Sequence, residues 1–240
     1  MIKAITFDFW QTLYADSPEL NGKREVLRTE RCHEFLVERG YSATRDEIGA
    51  GFQAAYNLVS EMWHQHRGVS VETCMLRLVD SLQIHLDPTD IERLIVSVGR
   101  AFFDSPPKLM PFAKEVLARL HTKYHLAIIS DAGLTPGRMV RQLMGRDGLL
   151  GYFDVQTFSD ETPYTKPKAV QFHSTLKQLN VEPAEAVHIG DLVRTDIVGA
   201  KNAGMKAIRF SGATLTEQDD ALSDAVIDDY RQLEAAIAQL

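Results

Sequence analysis

Three short apolar runs in this chain each stop on a residue able to do chemistry. Ile2 to Phe7 runs into Asp8, Ala127 to Ile129 into Ser130, and Val187 to Ile189 into Gly190 and Asp191. Runs this short and rich in β-branched residues read as strands. Phe153 to Phe158 and Met205 to Phe210 read as two more. Phe172, Leu176 and Leu179 recur at helical spacing, as do Leu233, Ile237 and Leu240, so these helices carry one apolar stripe for a sheet. Strands alternating with helices predict an α/β fold, a doubly wound parallel sheet with a Rossmann-like core.

Between Ala15 and Ser105 the pattern changes to helix after helix. Met75, Leu78, Val79 and Leu82 share one face, and Ile91, Leu94, Ile95 and Val98 another. Pro106 and Pro107 close this stretch before Leu109 and Met110 resume the α/β pattern. The expectation is an α-helical cap domain at 15–105 inserted into a core made of 1–14 and 106–240. The 240 residues suffice for one large domain with such an insertion, at roughly 150 residues per domain.

Composition excludes several classes. With 45% apolar and 25% charged residues the chain can bury a sizeable core. A net charge of −7 and the absence of a basic tract argue against nucleic acid as a partner. Cys32 and Cys74 form neither a disulfide framework nor a Cys-x-x-Cys site, which fits free thiols in a reducing compartment. No apolar stretch approaches the ~20 residues of a membrane span. The expectation is a soluble cytoplasmic protein without a membrane partner. Nothing in the pattern sets its oligomeric state.

In an open α/β sheet, ligands sit beyond the carboxyl ends of the strands, where Asp8, Ser130 and Asp191 fall. Lys166, just before Pro167, lies in the loop after Phe153 to Phe158, and Asp196 follows Asp191 closely. Singly, each has a plainer reading: an Asp after a strand commonly caps a helix or forms a turn, and a loop Lys is usually solvated. Together they predict one convergent site. His64 and His66, beside Trp63, read either as lining a substrate entrance or as a solvated helix face; the second reading is preferred and they are given no role.

The segments Asp8-Phe9-Trp10-Gln11-Thr12-Leu13, Ser130-Asp131, Lys166-Pro167 and Gly190-Asp191 with Asp196 resemble, in order and placement, the haloacid dehalogenase superfamily, in the subgroup with a helical cap after the first strand. Gly199 to Met205 looks like the helix-to-strand passage that follows the acidic motif in that family. The resemblance implies a Mg²⁺-dependent phosphatase acting on a small phosphorylated metabolite. Asp8 would attack phosphorus and form an aspartyl-phosphate. Asp8, Asp191, Asp196 and the backbone carbonyl of Trp10 would hold the metal. Lys166 and Ser130 would act with Asp8, and the phosphate is expected against Phe9, Trp10, Thr12, Ser130, Asp131 and Lys166, with backbone N–H groups of Phe9 and Trp10 as fixed dipoles. Thr12 resembles the Thr that helps fix the turn.

One position departs from the family pattern. Family phosphatases usually carry a second Asp two residues after the nucleophile as general acid and base, and this chain has Trp10 there. Indole is a donor that does not titrate near neutrality. Acid–base catalysis typically contributes about 10²–10⁴-fold, so activity on alkyl phosphates is expected to be slow. Two other readings stay open. An aromatic at this position resembles the 2-haloacid dehalogenase branch, although that branch dispenses with the metal and this chain keeps both Asp191 and Asp196. A catalytically weak or inactive phosphate-binding scaffold is the other. A phosphonate-cleaving reading needs a cap lysine, and Lys23, the only one between Tyr14 and Ser105, sits too near the first motif to match well.

Overall fold

The computed structural model describes residues 1–213 and 218–240. Strand β1 (Ala4–Phe7) leads through β2 (Tyr14–Ala15) into four helices, α1 (Pro18–Glu38), α2 (Arg45–His64), α3 (Val71–Ser81) and α4 (Pro88–Asp104). The chain returns through β3 (Lys108–Leu109) and α5 (Ala113–Leu120) to β4 (His125–Ser130), α6 (Gly137–Arg146) and β5 (Val155–Phe158). It continues through α7 (Ala169–Leu179), β6 (Ala186–Gly190), α8 (Val198–Asn202), β7 (Lys206–Phe210), β8 (Ala225–Ile227) and α9 (Leu233–Ile237).

Six strands form one parallel sheet in the order β5-β4-β1-β6-β7-β8. Helices cover both faces, which explains why its strands read as unbroken apolar runs. Ile5, Phe7 and Ile128 point to one side with Val116, Leu143 and Leu233, whereas Ala4, Ala127 and Ile129 point to the other with Phe172, Leu176 and Ala200. The five strands expected from the sequence are present. Strand β8 and the short β2–β3 ribbon were not anticipated, because two or three residues carry no periodic signal.

The sheet places the site. From β1 the chain winds outward through β4 to β5, then returns to β6 on the other side of β1 and winds outward again. The strand order therefore reverses between β1 and β6, and the crevice opens at their carboxyl ends. Phe7 pairs with both Ile128 and Ile189, so Asp8, Ser130 and Gly190-Asp191 emerge side by side from three adjacent strands.

The four helices between β2 and β3 have their own apolar core, which includes Cys32, Phe52, Met75, Leu78, Leu94 and Val98. Each begins on a side chain that accepts a backbone N–H: Ser17, Thr44, Ser70 and Asp87. Such caps contribute about 1 kcal/mol each. Leu134, from the loop after β4, packs into the helical core. The β2–β3 ribbon ties the outgoing and returning strands through Tyr14–Leu109 and Ala15–Lys108. Among the described residues no helix is long and apolar enough to cross a membrane.

The turn after α2 is seated on the sheet's rim. Gly68 N–H donates to Pro163 O (3.0 Å), and Arg67 bridges Tyr164. A Cβ on Gly68 would lie 2.0 Å from Thr162 O and 2.2 Å from Ser159 O, both backbone atoms that cannot swing aside. Gly68→Ala should therefore push the helical unit off this rim and cost about 1–3 kcal/mol, at about 2–4 °C of Tm per kcal/mol. A melting curve identical to the parent's would show that this contact does not form.

Candidate active site

The loop after β1 is a tight backbone turn. Leu13 N–H and Tyr14 N–H both donate to Phe9 O, at 3.0 and 2.9 Å, and Gln11 adopts a left-handed conformation with φ of 55°. In this turn the N–H groups of Phe9 and Trp10 and the carbonyl of Trp10 take no backbone hydrogen bond among the described residues. Two donors and one acceptor are thus left beside Asp8. Backbone bonds fix the turn rather than the Thr12 hydroxyl, which is buried without a hydrogen-bond partner among the described residues. The Thr12 carbonyl accepts from buried Tyr230 Oη at 2.9 Å.

Lys166 Nζ lies 2.7 Å from Asp8 Oδ1 and 2.6 Å from Asp196 Oδ1, and all three side chains are buried. Residues 158 positions apart in sequence therefore meet in one ion pair. Asp196 sits in a π-helical turn, Val193–Ile197, a distortion often found at functional sites. Its Oδ2 accepts Leu192 N–H at 3.0 Å. Gly190 is needed here, because a Cβ on it would lie 2.3 Å from Asp196 Cγ. Asp8, Asp191 and Asp196 bring carboxylate oxygens within 4.8 Å of one another.

His188 supports this cluster from β6. Its Nε2 is 3.2 Å from Asp196 Oδ1 and its Nδ1 is 2.8 Å from Thr6 Oγ1. Burial lowers the His188 pKa against the raising pull of Asp196. A neutral ring donating from Nε2 to Asp196 and accepting from Thr6 at Nδ1 satisfies both contacts.

Burial raises the Asp8 pKa, with Asp196 adding to it and Lys166 opposing. Burial alone would discharge Lys166, but Asp196, Asp8 and Asp131 outweigh it and hold the ammonium charged. Asp196 is likewise opposed by burial, yet Lys166 and His188 keep it well below the ordinary carboxylate range. Asp131, pushed up to about 7 chiefly by burial, accepts Lys166 N–H at its Oδ1 (3.2 Å). Ser130 Oγ lies near enough to favour ionised Asp8, although it has no hydrogen-bond partner of ordinary geometry among the described residues.

A cavity of about 220 Å³ opens here, lined among others by Asp8, Trp10, Asp131, Lys166, Asp191 and Asp196. Trp10 packs edge-on against Phe9 (4.9 Å) and against Phe102 of α4 (6.0 Å). The histidine pair splits. His64 is exposed as expected, but His66 and Trp63 line the cavity, because the turn after α2 folds back onto the rim and Thr165 N–H donates to His66 O at 3.3 Å. Solvated-face periodicity carried no sign of that turn. Gln11, Thr165, Leu192, Arg194 and Thr195 also line the cavity without having been singled out, although all flank residues that were.

Donor chemistry makes a divalent cation a good fit. Three carboxylates face one lysine, and hard ions such as Mg²⁺ take oxygen ligands. Similar proteins agree with the fold. A curated glyceraldehyde 3-phosphate phosphatase of Methanothermobacter thermautotrophicus is 28% identical, covering 97% of this chain and 98% of its own. A ribulose-1,5-bisphosphate 5-phosphatase of Halopiger xanaduensis is 28% identical over 94% and 90%. Among solved structures, a 2-haloacid dehalogenase of Pseudomonas syringae superposes with a TM-score of 0.71 at 22% identity, over 100% of this chain and 99% of its own. The profile of the haloacid dehalogenase-like hydrolases matches residues 2–204, and the chain belongs to that family of enzymes.

Proposed function

We propose that the chain is a Mg²⁺-dependent phosphatase of small phosphorylated metabolites, with Asp8 as nucleophile. The observation that carries this reading is the buried Asp8–Lys166–Asp196 arrangement beside Asp191. The names of the two curated relatives favour phosphorus as the atom attacked. Residues 15–105 are read as a cap domain over a core of 1–14 and 106–240, with the cap limiting water and selecting the substrate.

Lys166 bonds Asp8 Oδ1 and leaves Oδ2 as the attacking atom. That oxygen forms a bond to phosphorus, the ester P–O bond breaks, and the alcohol oxygen leaves with the electron pair. The N–H groups of Phe9 and Trp10 left without a backbone partner, the Ser130 hydroxyl and the Lys166 ammonium would hold the phosphoryl oxygens. Water then attacks phosphorus, releasing phosphate and restoring the Asp8 carboxylate. Mg²⁺ held by Asp8, Asp191, Asp196 and the Trp10 carbonyl supplies positive charge where two anions must meet. His188 positions Asp196, and Thr6 positions His188.

Trp10 defines the weak step. It supplies packing and an apolar wall but no proton to the leaving oxygen. Substrates with acidic leaving groups should therefore be favoured strongly over alkyl phosphates.

Asp8→Asn should reduce turnover of an aryl phosphate by at least about 10³-fold, since an amide is a poor nucleophile. Undiminished activity would remove the covalent route. EDTA should abolish phosphate release and Mg²⁺ should restore it, whereas halide release from 2-haloacids persisting in EDTA would identify a dehalogenase instead. Tight Mg²⁺ binding with no turnover across a phosphate panel would point to a scaffold. Trp10→Asp should raise the ratio of alkyl to aryl phosphate turnover by about 10-fold or more, within the range of acid–base catalysis. A ratio taken within one preparation is unaffected by a smaller folded fraction, and an unchanged ratio would contradict the role given to Trp10.

A further inference from the structure

Arg24 and Arg28, both on α1, are buried. Arg24 is neutralised by an ion pair with Asp16 and also donates to Ser105 O at 2.9 Å. Arg28 has no such counter-ion. Its Nη1 donates to Tyr56 Oη (2.9 Å) and its Nη2 to Thr135 Oγ1 (2.8 Å), and no carboxylate lies within ion-pair distance among the described residues. A guanidinium carries five N–H donors, so two hydroxyls leave most of its hydrogen-bonding capacity and all of its charge uncompensated. Buried charges are ordinarily paired, because desolvation costs several kcal/mol per ion.

The position of this cation is informative. Arg24, with its partner Asp16, and Arg28 line a second chamber of about 220 Å³, whose wall includes Trp10, Trp63 and Asp131. The same three residues line the cavity above Asp8 and Lys166. Two spaces sharing three wall residues adjoin, one holding the nucleophile and the other a free guanidinium. Asp131 lines this chamber too, but its Oδ1 takes the Lys166 N–H and it forms no ion pair with Arg28 among the described residues. Arg28 also lines a groove with Glu25, Glu30 and Asp46, none of which pairs with it, Glu30 being held by Arg45.

We propose that this chamber is the subsite for a second anionic group of the substrate, a carboxylate or a second phosphate on the alcohol portion, received by Arg28. The assignment rests on the phosphatase reading and specifies its substrate class. The planar fork of Arg28 suits either anion. Substrate binding completes the charge balance that folding leaves open. The ester is then held at both ends, with phosphorus at Asp8 and the far anion under α1. Gly133 lines the same chamber, and a Cβ built there meets nothing within 4 Å. A Cβ therefore fits there, and Gly133→Asp adds a carboxylate to the chamber lining that Arg28 shares.

The test uses matched pairs with Mg²⁺ present: 3-phosphoglycerate against glycerol 3-phosphate, and propane-1,3-diol bisphosphate against its monophosphate. An aryl phosphate serves as the control for folding and chemistry. The parent protein should favour the doubly anionic member of at least one pair by about 10-fold or more in kcat/KM, chiefly through KM, as expected for hydrogen bonds to a charged group. The pair showing the preference distinguishes carboxylate from phosphate. Arg28→Gln should erase that preference while leaving glycerol 3-phosphate and the aryl control within about 3-fold, and Arg28→Lys should retain part of it. Gly133→Asp, which keeps Arg28 and its contacts, should raise KM for the doubly anionic member alone. Equal losses on both members would make Arg28 a mere strut between α1 and the loop after β4, and no preference in the parent would equally overturn the subsite. If the aryl phosphate turns over but neither pair discriminates, the subsite fails and the phosphatase reading stands. If no phosphate ester is hydrolysed, the phosphatase reading fails and the subsite goes with it.

Discussion

One ammonium group shared between two buried carboxylates organises this molecule. Lys166 lies within 2.7 Å of both Asp8 and Asp196, and all three are almost wholly withdrawn from water. Removing an ion from water costs several kcal/mol even after relaxation, and mutual attraction offsets this only with good geometry and satisfied remaining lone pairs. For Asp196 the structure supplies both. Asp196 takes Leu192 N–H on one oxygen and Lys166 with His188 on the other, and His188 is anchored to Thr6 on β1. The chain of contacts thus runs from a central strand to a loop, back to the neighbouring strand and into its first turn. A shift in the β1–β6 register would disconnect it.

Such a cluster is stable as an ion pair and unbalanced as a site. Asp8, Asp191 and Asp196 outnumber Lys166, and Asp131 stands close by. Folding therefore concentrates negative charge at the point where the proposed chemistry brings an anion. Burial explains why Asp8 is raised above the usual carboxylate range and why a divalent cation is the natural completion. A site balanced by a second lysine would have been more comfortable for the fold and poorer at gathering a metal and a phosphate together.

The sequence made the core legible because the core obeys local rules. Apolar runs at Ile5, Ile128 and Ile189 announced strands buried on both faces, and a general rule about parallel sheets sent Asp8, Ser130 and Asp191 to one rim. Other features could not be read that way. His66 enters the cavity through a left-handed residue, φ 53°, in a turn held by backbone bonds to residues about 100 positions away. His188 is one polar residue within an apolar strand run, and only the packing shows Asp196 against its ring. Arg24 and Arg28 are spaced like any solvated helix pair, and the sequence does not tell that α1 turns them inward against the loop after β4.

Trp10 shows why these two classes of residue belong together. Placed two positions after Asp8, it carries no titratable group and presents a flat apolar surface to Phe9 and Phe102. Phe102 belongs to α4, so the indole joins the rim of the sheet to the helical unit. It also forms part of the walls of both adjoining cavities. An aspartate here would not present that flat apolar wall. Under the proposed reading, the residue that withholds a proton from the leaving group also forms a wall shared by the cavity at Asp8 and the chamber at Arg28. Under the reading proposed above, rate on simple esters is exchanged for a substrate held at two charged ends, and proton transfer matters less as the geometry of attack becomes better fixed.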